Sequence, residues 1–334
     1  MKLSRREFIA VSSFALPIWP LATHGQDTSR LRRVGVLISG KEADKNTQHR
    51  LAVFKEAMRK LSWIEGKNIH YEVRWGNGNR ERISAGALEL IGLAPDAVLT
   101  VGTPATDSVY RGSKTIPIVF AIVSDPVGDG FVKSLANPGG NVTGFITYYP
   151  EFVGKWVEML KEAAPQVSKT GLLFNPRTAP FSKDQYLRPY FEQAARVLAV
   201  EPIMLPVQTK AEIEASIESV ARNPGGSLIV MPDSFMFANR ATIIESAARN
   251  KVPVIYPFSP FASGGGLMAY GVDMADLTRR AATYVDRVLK NEKPASLPVQ
   301  APTKFELIVN LKTAKALGIT IPPSILLRAD DVIE

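Results

Sequence analysis

Apolar residues fall into short runs separated by amphipathic stretches, and this alternation recurs along the chain from residue 32 onward. "RRVGVLISG" at 32–40 is an apolar run of strand length, and behind it Leu51, Phe54, Met58 and Leu61 recur at the spacing of one helix face. "NIHYEVRW" alternates as a strand, and 79–94 reads as a helix. "PDAVLTVG" and "IPIVFAIV" are short buried strands, with a helix from about Pro104 between them. After a glycine-rich stretch "EFVGKWVEMLKEAA" restarts the pattern, and strands follow at "KTGLLFNP", "EPIMLPV", "GSLIVMPD" and "VPVIYPF". Strands alternating with helices predict βαβ units, an α/β fold whose parallel sheets are covered on both faces.

The pattern is written twice. "RVGVL" at 33–37 matches "KTGLL" at 169–173, and "TIPIVF" at 115–120 matches "KVPVIY" at 251–256, both at an offset of 136. "AVLTVG" at 97–102 corresponds to "SLIVMP" at 227–232 at an offset of 130. Matches that keep their order and nearly their offset predict two lobes of one topology. Ligands of open parallel sheets bind at the carboxyl ends of the strands, so two facing sheets predict a cleft between lobes.

The N-terminus has a different character. Lys2, Arg5 and Arg6 precede an apolar stretch from Phe8 to Ala22 that contains Pro17 and Pro20, and small residues follow up to Gly25. A spanning helix needs about 20 apolar residues, so this is an export signal with a cut expected between Gly25 and Gln26. "SRREFI" resembles the twin-arginine consensus, which favours that route over Sec and places the mature protein in the periplasm. Residues 1–25 are thus a leader, and the remaining 309 of the 334 residues suit two lobes.

Composition mainly excludes. The net charge is +8, of which the leader supplies +2, and the basic residues are dispersed, so nucleic acid is not an expected partner. There are no cysteines, which excludes disulfides, thiolate metal sites and cysteine nucleophiles. Beyond the leader only His49 and His70 remain, and both fall at positions expected on the surface. "GVLISGK" is neither a dinucleotide nor a Walker A loop, and no G-x-S-x-G or H-E-x-x-H occurs. No cofactor and no metal are expected.

The residues that follow strands are the candidates for chemistry. Ser39 follows the first strand, and "GTPAT" follows another, with Thr103 expected as N-cap and Pro104 as the first helical residue. A helix N-terminus favours a carboxylate or phosphate, which makes Thr103, Ala105 and Thr106 candidates. Asp125, Asn175, Asp233 and Ser234 follow strands in the same way, and the two carboxylates are candidates to hold a cationic group. Phe145, Tyr148 and Tyr270 lie beside expected lobe crossings and are candidates to stack on a flat ligand, with core packing as the competing role.

"GTPATDSVY", "IPIVFAIVSDPVGDGFVKSLANPGGNVTG", "GGGLMAYGVD" and the stretch from Tyr284 to the end resemble the ABC transporter substrate-binding family, whose members include aromatic amino-acid binders. The resemblance implies a type I periplasmic binding fold: two Rossmann-like lobes, three crossings and hinge closure on a small-molecule ligand. By that pattern the crossings fall near 143–147, 268–271 and 301–304. Lobe 1 is then 26–145 plus 270–302, and lobe 2 is 146–269 plus 303–334. It further implies a monomeric receptor, not an enzyme, which delivers a carboxylate or amino-acid-like solute to an ABC permease in the inner membrane. Two alternatives compete. An exported enzyme could use Asp125 and Asp233, and an intracellular sugar-responsive regulator would need a DNA-binding headpiece where this chain has its leader.

Overall fold

The computed structural model describes residues 30–147, 150–178 and 187–334; residues 1–25, expected from sequence to be an export signal, and Tyr148 lie outside the described residues. In the first part β1 (Arg32–Ile38), α1 (Lys45–Lys60), β2 (Ile69–Trp75), α2 (Arg80–Gly92), β3 (Ala97–Val101), α3 (Thr103–Gly112), β4 (Ile118–Val123) and β5 (Val142–Ile146) follow one another. Their strands make a five-stranded parallel sheet in the order β2-β1-β3-β4-β5.

The second part runs through α4 (Phe152–Ala163), β6 (Lys169–Phe174), α5 (Arg188–Val197), β7 (Glu201–Pro206), α6 (Lys210–Ala221), β8 (Gly226–Val230), α7 (Ser234–Ala238) and α8 (Arg240–Arg249). It continues with β9 (Val254–Tyr256), α9 (Ser259–Ser263) and β10 (Met268–Val272). After α10 (Met274–Leu289), β11 (Phe305–Asn310), α11 (Leu311–Leu317), α12 (Pro323–Leu326) and β12 (Asp331–Ile333) end the chain. The second sheet has seven strands in the order β12-β11-β10-β9-β8-β6-β7, and β11 is antiparallel to β10. Read from its β7 edge, the succession β7-β6-β8-β9-β10 repeats β2-β1-β3-β4-β5, so the weak internal repeat is a repeat of topology.

The chain returns to the first sheet in one element. Helix α10 packs against α1, β3, β4 and β5, and β11 and β12 then extend the second sheet. All of β10 is paired within the second sheet, so Tyr270, Gly271 and Val272 go with that lobe rather than the first, and the return falls at Asp273.

Both sheets are sandwiched, which is why their strands are apolar on both faces. On one face of the first sheet Leu37, Val98, Ile118 and Phe120 pack with Ile83 and Leu90 of α2 and Val109 of α3. Its other face carries Phe54 and Met58 of α1 with Leu277, Ala281 and Val285 of α10. In the second sheet Leu172, Ile229 and Ile255 meet Trp156 and Leu160 of α4 and Phe191 of α5. Close packing also fixes Gly144: a Cβ there would lie 2.1 Å from the Phe120 carbonyl oxygen. Side-chain caps start several of the helices, with Asp44 accepting from Thr47 N at 2.9 Å and Asn79 from Arg82 N at 2.8 Å. From Leu31 to Glu334 the chain forms one compact unit.

Candidate functional site

The carboxyl ends of strands from both sheets converge on two adjoining cavities of about 590 and 990 Å³, counting their open mouths. Thr103, Pro104, Thr178 and Ser234 line both, so the two are parts of one cleft.

The first lobe builds its wall from β1, β3 and β4. Gly102, at φ 94°, is the N-cap of α3, and Thr103 and Pro104 are the first helical residues. The expected cap at Thr103 is therefore moved by one residue, and the capping oxygen comes from elsewhere. Ser39 Oγ accepts from Ala105 N at 3.2 Å, and a Cβ on residue 102 would approach that oxygen to 3.0 Å. Because Pro104 has no amide hydrogen, Thr103 presents the leading N–H of the helix, where the helix dipole favours negative charge. Ile122, a β-branched residue at φ 60° beside a register shift in β4, also lines the cleft.

The second lobe contributes a buried carboxylate. Asp233 caps α7: Oδ1 accepts from Met236 N at 2.8 Å and Thr178 Oγ1 at 3.1 Å, and Oδ2 from Asn175 N at 3.3 Å. Burial pushes its carboxyl up to about 6, and the hydrogen bonds only partly oppose that shift. Next to it Phe237 and Phe258, with Ile38, Val101 and Met274 from the first lobe, form apolar lining.

A cluster of charges joins the lobes. Asp44, the cap of α1, pairs with Arg240 at the start of α8. Arg50 and Arg240 both lie over the Phe237 ring, their guanidinium carbons 5.1 and 4.8 Å from its centroid. Burial of Asp44 raises its carboxyl, yet the Thr47 hydrogen bonds and the Arg240 charge hold it below the usual value.

Of the residues singled out from sequence, Ser39, Thr103, Asn175, Asp233 and Ser234 lie along this cleft. Ala105 and Thr106 follow Thr103 but turn into the first lobe; both are fully buried, and Thr106 Oγ1 meets Thr100 Oγ1 at 2.8 Å. Asp125 closes its own turn by accepting from Gly128 N at 2.8 Å and lines neither cavity, so the structure does not bring it to Asp233. Phe145 is a core residue against Tyr284, with centroids 4.8 Å apart. Tyr270 stacks on Phe152 at 4.9 Å, and its carbonyl accepts from Trp156 Nε1 at 2.7 Å. Among the described residues no cluster could hold a metal ion.

Sequence reasoning missed Arg50, Thr178, Ser124, Phe237, Phe258 and Met274, all of which line the inner cavity. For Arg50 a signal existed: it lies four residues before Phe54 on the buried stripe of α1, where a charge is out of place.

Two α/β lobes of one strand order, with a cleft built from strand ends, define a type I periplasmic binding fold. The family described as ABC transporter substrate binding protein matches residues 32–333, and the chain belongs to it. A tyrosine-binding protein of Clostridioides difficile (strain R20291) is 27% identical over 295 residues, 87% of this chain and 82% of that one. A conserved domain protein of Vibrio cholerae has a structure with TM-score 0.84 and 27% identity, covering 91% of this chain and 100% of its own. An ABC domain from Streptococcus pneumonia in complex with L-Trp shares the fold at TM-score 0.83 and 24% identity, with 91% and 100% of the chains covered.

Proposed function

We propose that this chain is an exported receptor that binds an amino-acid-like carboxylate between its lobes and delivers it to an ABC permease in the inner membrane. One observation carries the reading: the buried carboxylate of Asp233 on the second lobe shares a cavity with the first amide of α3, Thr103, on the first. That arrangement offers an acceptor for an ammonium and a donor for a carboxylate, and Phe237, Phe258 and Ile38 give a side chain apolar surroundings. Membership of a transporter family and the tyrosine-binding relative support the same reading. A charge-assisted bond to Asp233 contributes roughly 1.5–3 kcal/mol. The lobes close on the ligand as a hinge on the microsecond to millisecond scale.

Receptors of this type work near micromolar affinity, about −8 kcal/mol. Calorimetry of the monomeric mature protein with L-tyrosine, L-tryptophan and L-phenylalanine is the test, with tyramine as the analogue without a carboxylate. Binding of at least one of the three amino acids in preference to tyramine is expected. Ligand at 100 times its dissociation constant then adds about 2.7 kcal/mol to stability. No binding of any of the three removes the aromatic amino-acid reading. The leader predicts export by the twin-arginine route: Arg5→Lys with Arg6→Lys leaves precursor in the cytoplasm, and an unchanged yield outside it reduces the segment to a Sec signal.

A further inference from the structure

Arg50 is a buried cation whose hydrogen-bonding capacity is incompletely met. The residue is 7% exposed, on a helix face otherwise made of Thr47, Phe54 and Met58. One terminal nitrogen donates to Thr47 Oγ1 at 3.0 Å, and the other reaches only the Met274 sulfur at 3.9 Å, a weak acceptor. Its Nε has no partner. The carboxylate that acts on it, Asp44, is already engaged by Arg240 and Thr47. Burial draws the guanidinium down only to about 10, so it is cationic at neutral pH. Such a group is costly to bury unless an anion completes it. Arg50 lines the inner cavity beside Ser39 and Thr103.

We infer that Arg50 is the cationic anchor of the cleft and pairs with the carboxylate of the bound ligand. This rests on the proposed reading that the ligand is an amino-acid-like carboxylate, and deepens it by assigning the residue that selects the anionic group. With Arg50 and Thr103 on the first lobe and Asp233 on the second, a zwitterion touches both lobes at once. The ligand itself then holds the cleft shut. The competing role is purely structural, Arg50 serving as the cation that stacks on Phe237.

Two arms separate these roles. In the first, calorimetry compares L-tyrosine with L-tyrosinamide, which keeps the ammonium but lacks the carboxylate. The wild type prefers L-tyrosine by at least tenfold, and Arg50→Gln loses most of that preference, while Asp233→Asn weakens both ligands and keeps it. An Arg50→Gln protein with the wild-type preference overturns the inference and leaves the receptor reading standing. The second arm needs no natural ligand. Arg50→Met removes an incompletely paired buried charge, so its ligand-free melting temperature rises, and acetate, matched in ionic strength against chloride, stabilises the wild type but not the variant. A lower melting temperature, or equal stabilisation by acetate, means that Arg50 is a structural stacking partner. Should none of L-tyrosine, L-tryptophan and L-phenylalanine bind the wild type, the aromatic reading falls and the second arm alone decides Arg50.

Discussion

Asp44, at the N-cap of α1, forms an ion pair with Arg240, at the start of α8, and so ties the first lobe to the second. Arg240 also covers the Phe237 ring. Arg240→Ala removes both contacts and favours separated lobes. Small-angle scattering of the ligand-free variant should give a larger radius of gyration than the wild type, with ligand affinity reduced roughly three- to tenfold. An unchanged radius and affinity would make the pair incidental.

The pair also has a pH window. The Asp44 carboxyl is held below its ordinary 3.8, so its contribution to stability is present above that value and is lost as pH falls through the lower, folded one. The two lobes should therefore remain tied at pH 5, and loosening by scattering should set in only in more strongly acid solution.

Asp233 behaves oppositely. Its carboxyl is raised from 3.8 to about 6, so between those values the folded protein holds a proton that the unfolded chain has released. The stability it contributes is complete below 3.8 and is lost as pH rises through about 6, a change of at most about 3 kcal/mol. Asn175, Thr178 and the α7 amides face it from its own lobe, and Arg50 lines the same cavity from the other. Protonation removes its attraction for an ammonium, so L-tyrosine affinity should fall below pH 6 in the wild type. Asp233→Asn should bind about tenfold more weakly at pH 7 and show a flatter affinity profile against pH. Wild-type affinity in that variant would reduce Asp233 to a helix cap.

Ser39 supplies the oxygen that α3 lacks at its own cap. Ser39→Ala should cost about 1 kcal/mol of stability in a denaturant titration and weaken a carboxylate ligand, because the start of α3 is no longer tied to the end of β1. Thr103→Ala should leave stability nearly unchanged and lower affinity more modestly.

Phe145 separates core from cleft. Phe145→Ala should cost about 3–5 kcal/mol, because it empties a site against Tyr284 and beneath Arg280. Affinity measured below the lowered melting temperature should match the wild type. A selective loss of affinity would place the ring against the ligand.

Much of the architecture could be read without coordinates. Strands such as "GVLIS" and "IPIVFAIV" are apolar throughout because helices cover both faces, and that local signal does not depend on distant partners. Their order alone implied two lobes and a cleft at their carboxyl ends, where Ser39, Thr103, Asn175, Asp233 and Ser234 indeed lie. What periodicity does not carry is the direction of a side chain within a turn. Ala105 and Thr106 share a turn with Thr103 but face the core, because the helix rotates about 100° per residue. Tyr270 and Phe145 lie near crossings yet pack on protein side chains, Tyr270 on Phe152 and Phe145 on Tyr284, partners that periodicity does not reveal. Arg50 and Phe237 are 187 positions apart and meet only when the lobes face each other. The sequence by itself determined strands, helices, their duplication and the end of each sheet that faces the cleft, because these follow from local patterns of burial. The tertiary structure alone decided which charges meet between the lobes, because that depends on how residues far apart in sequence are packed together.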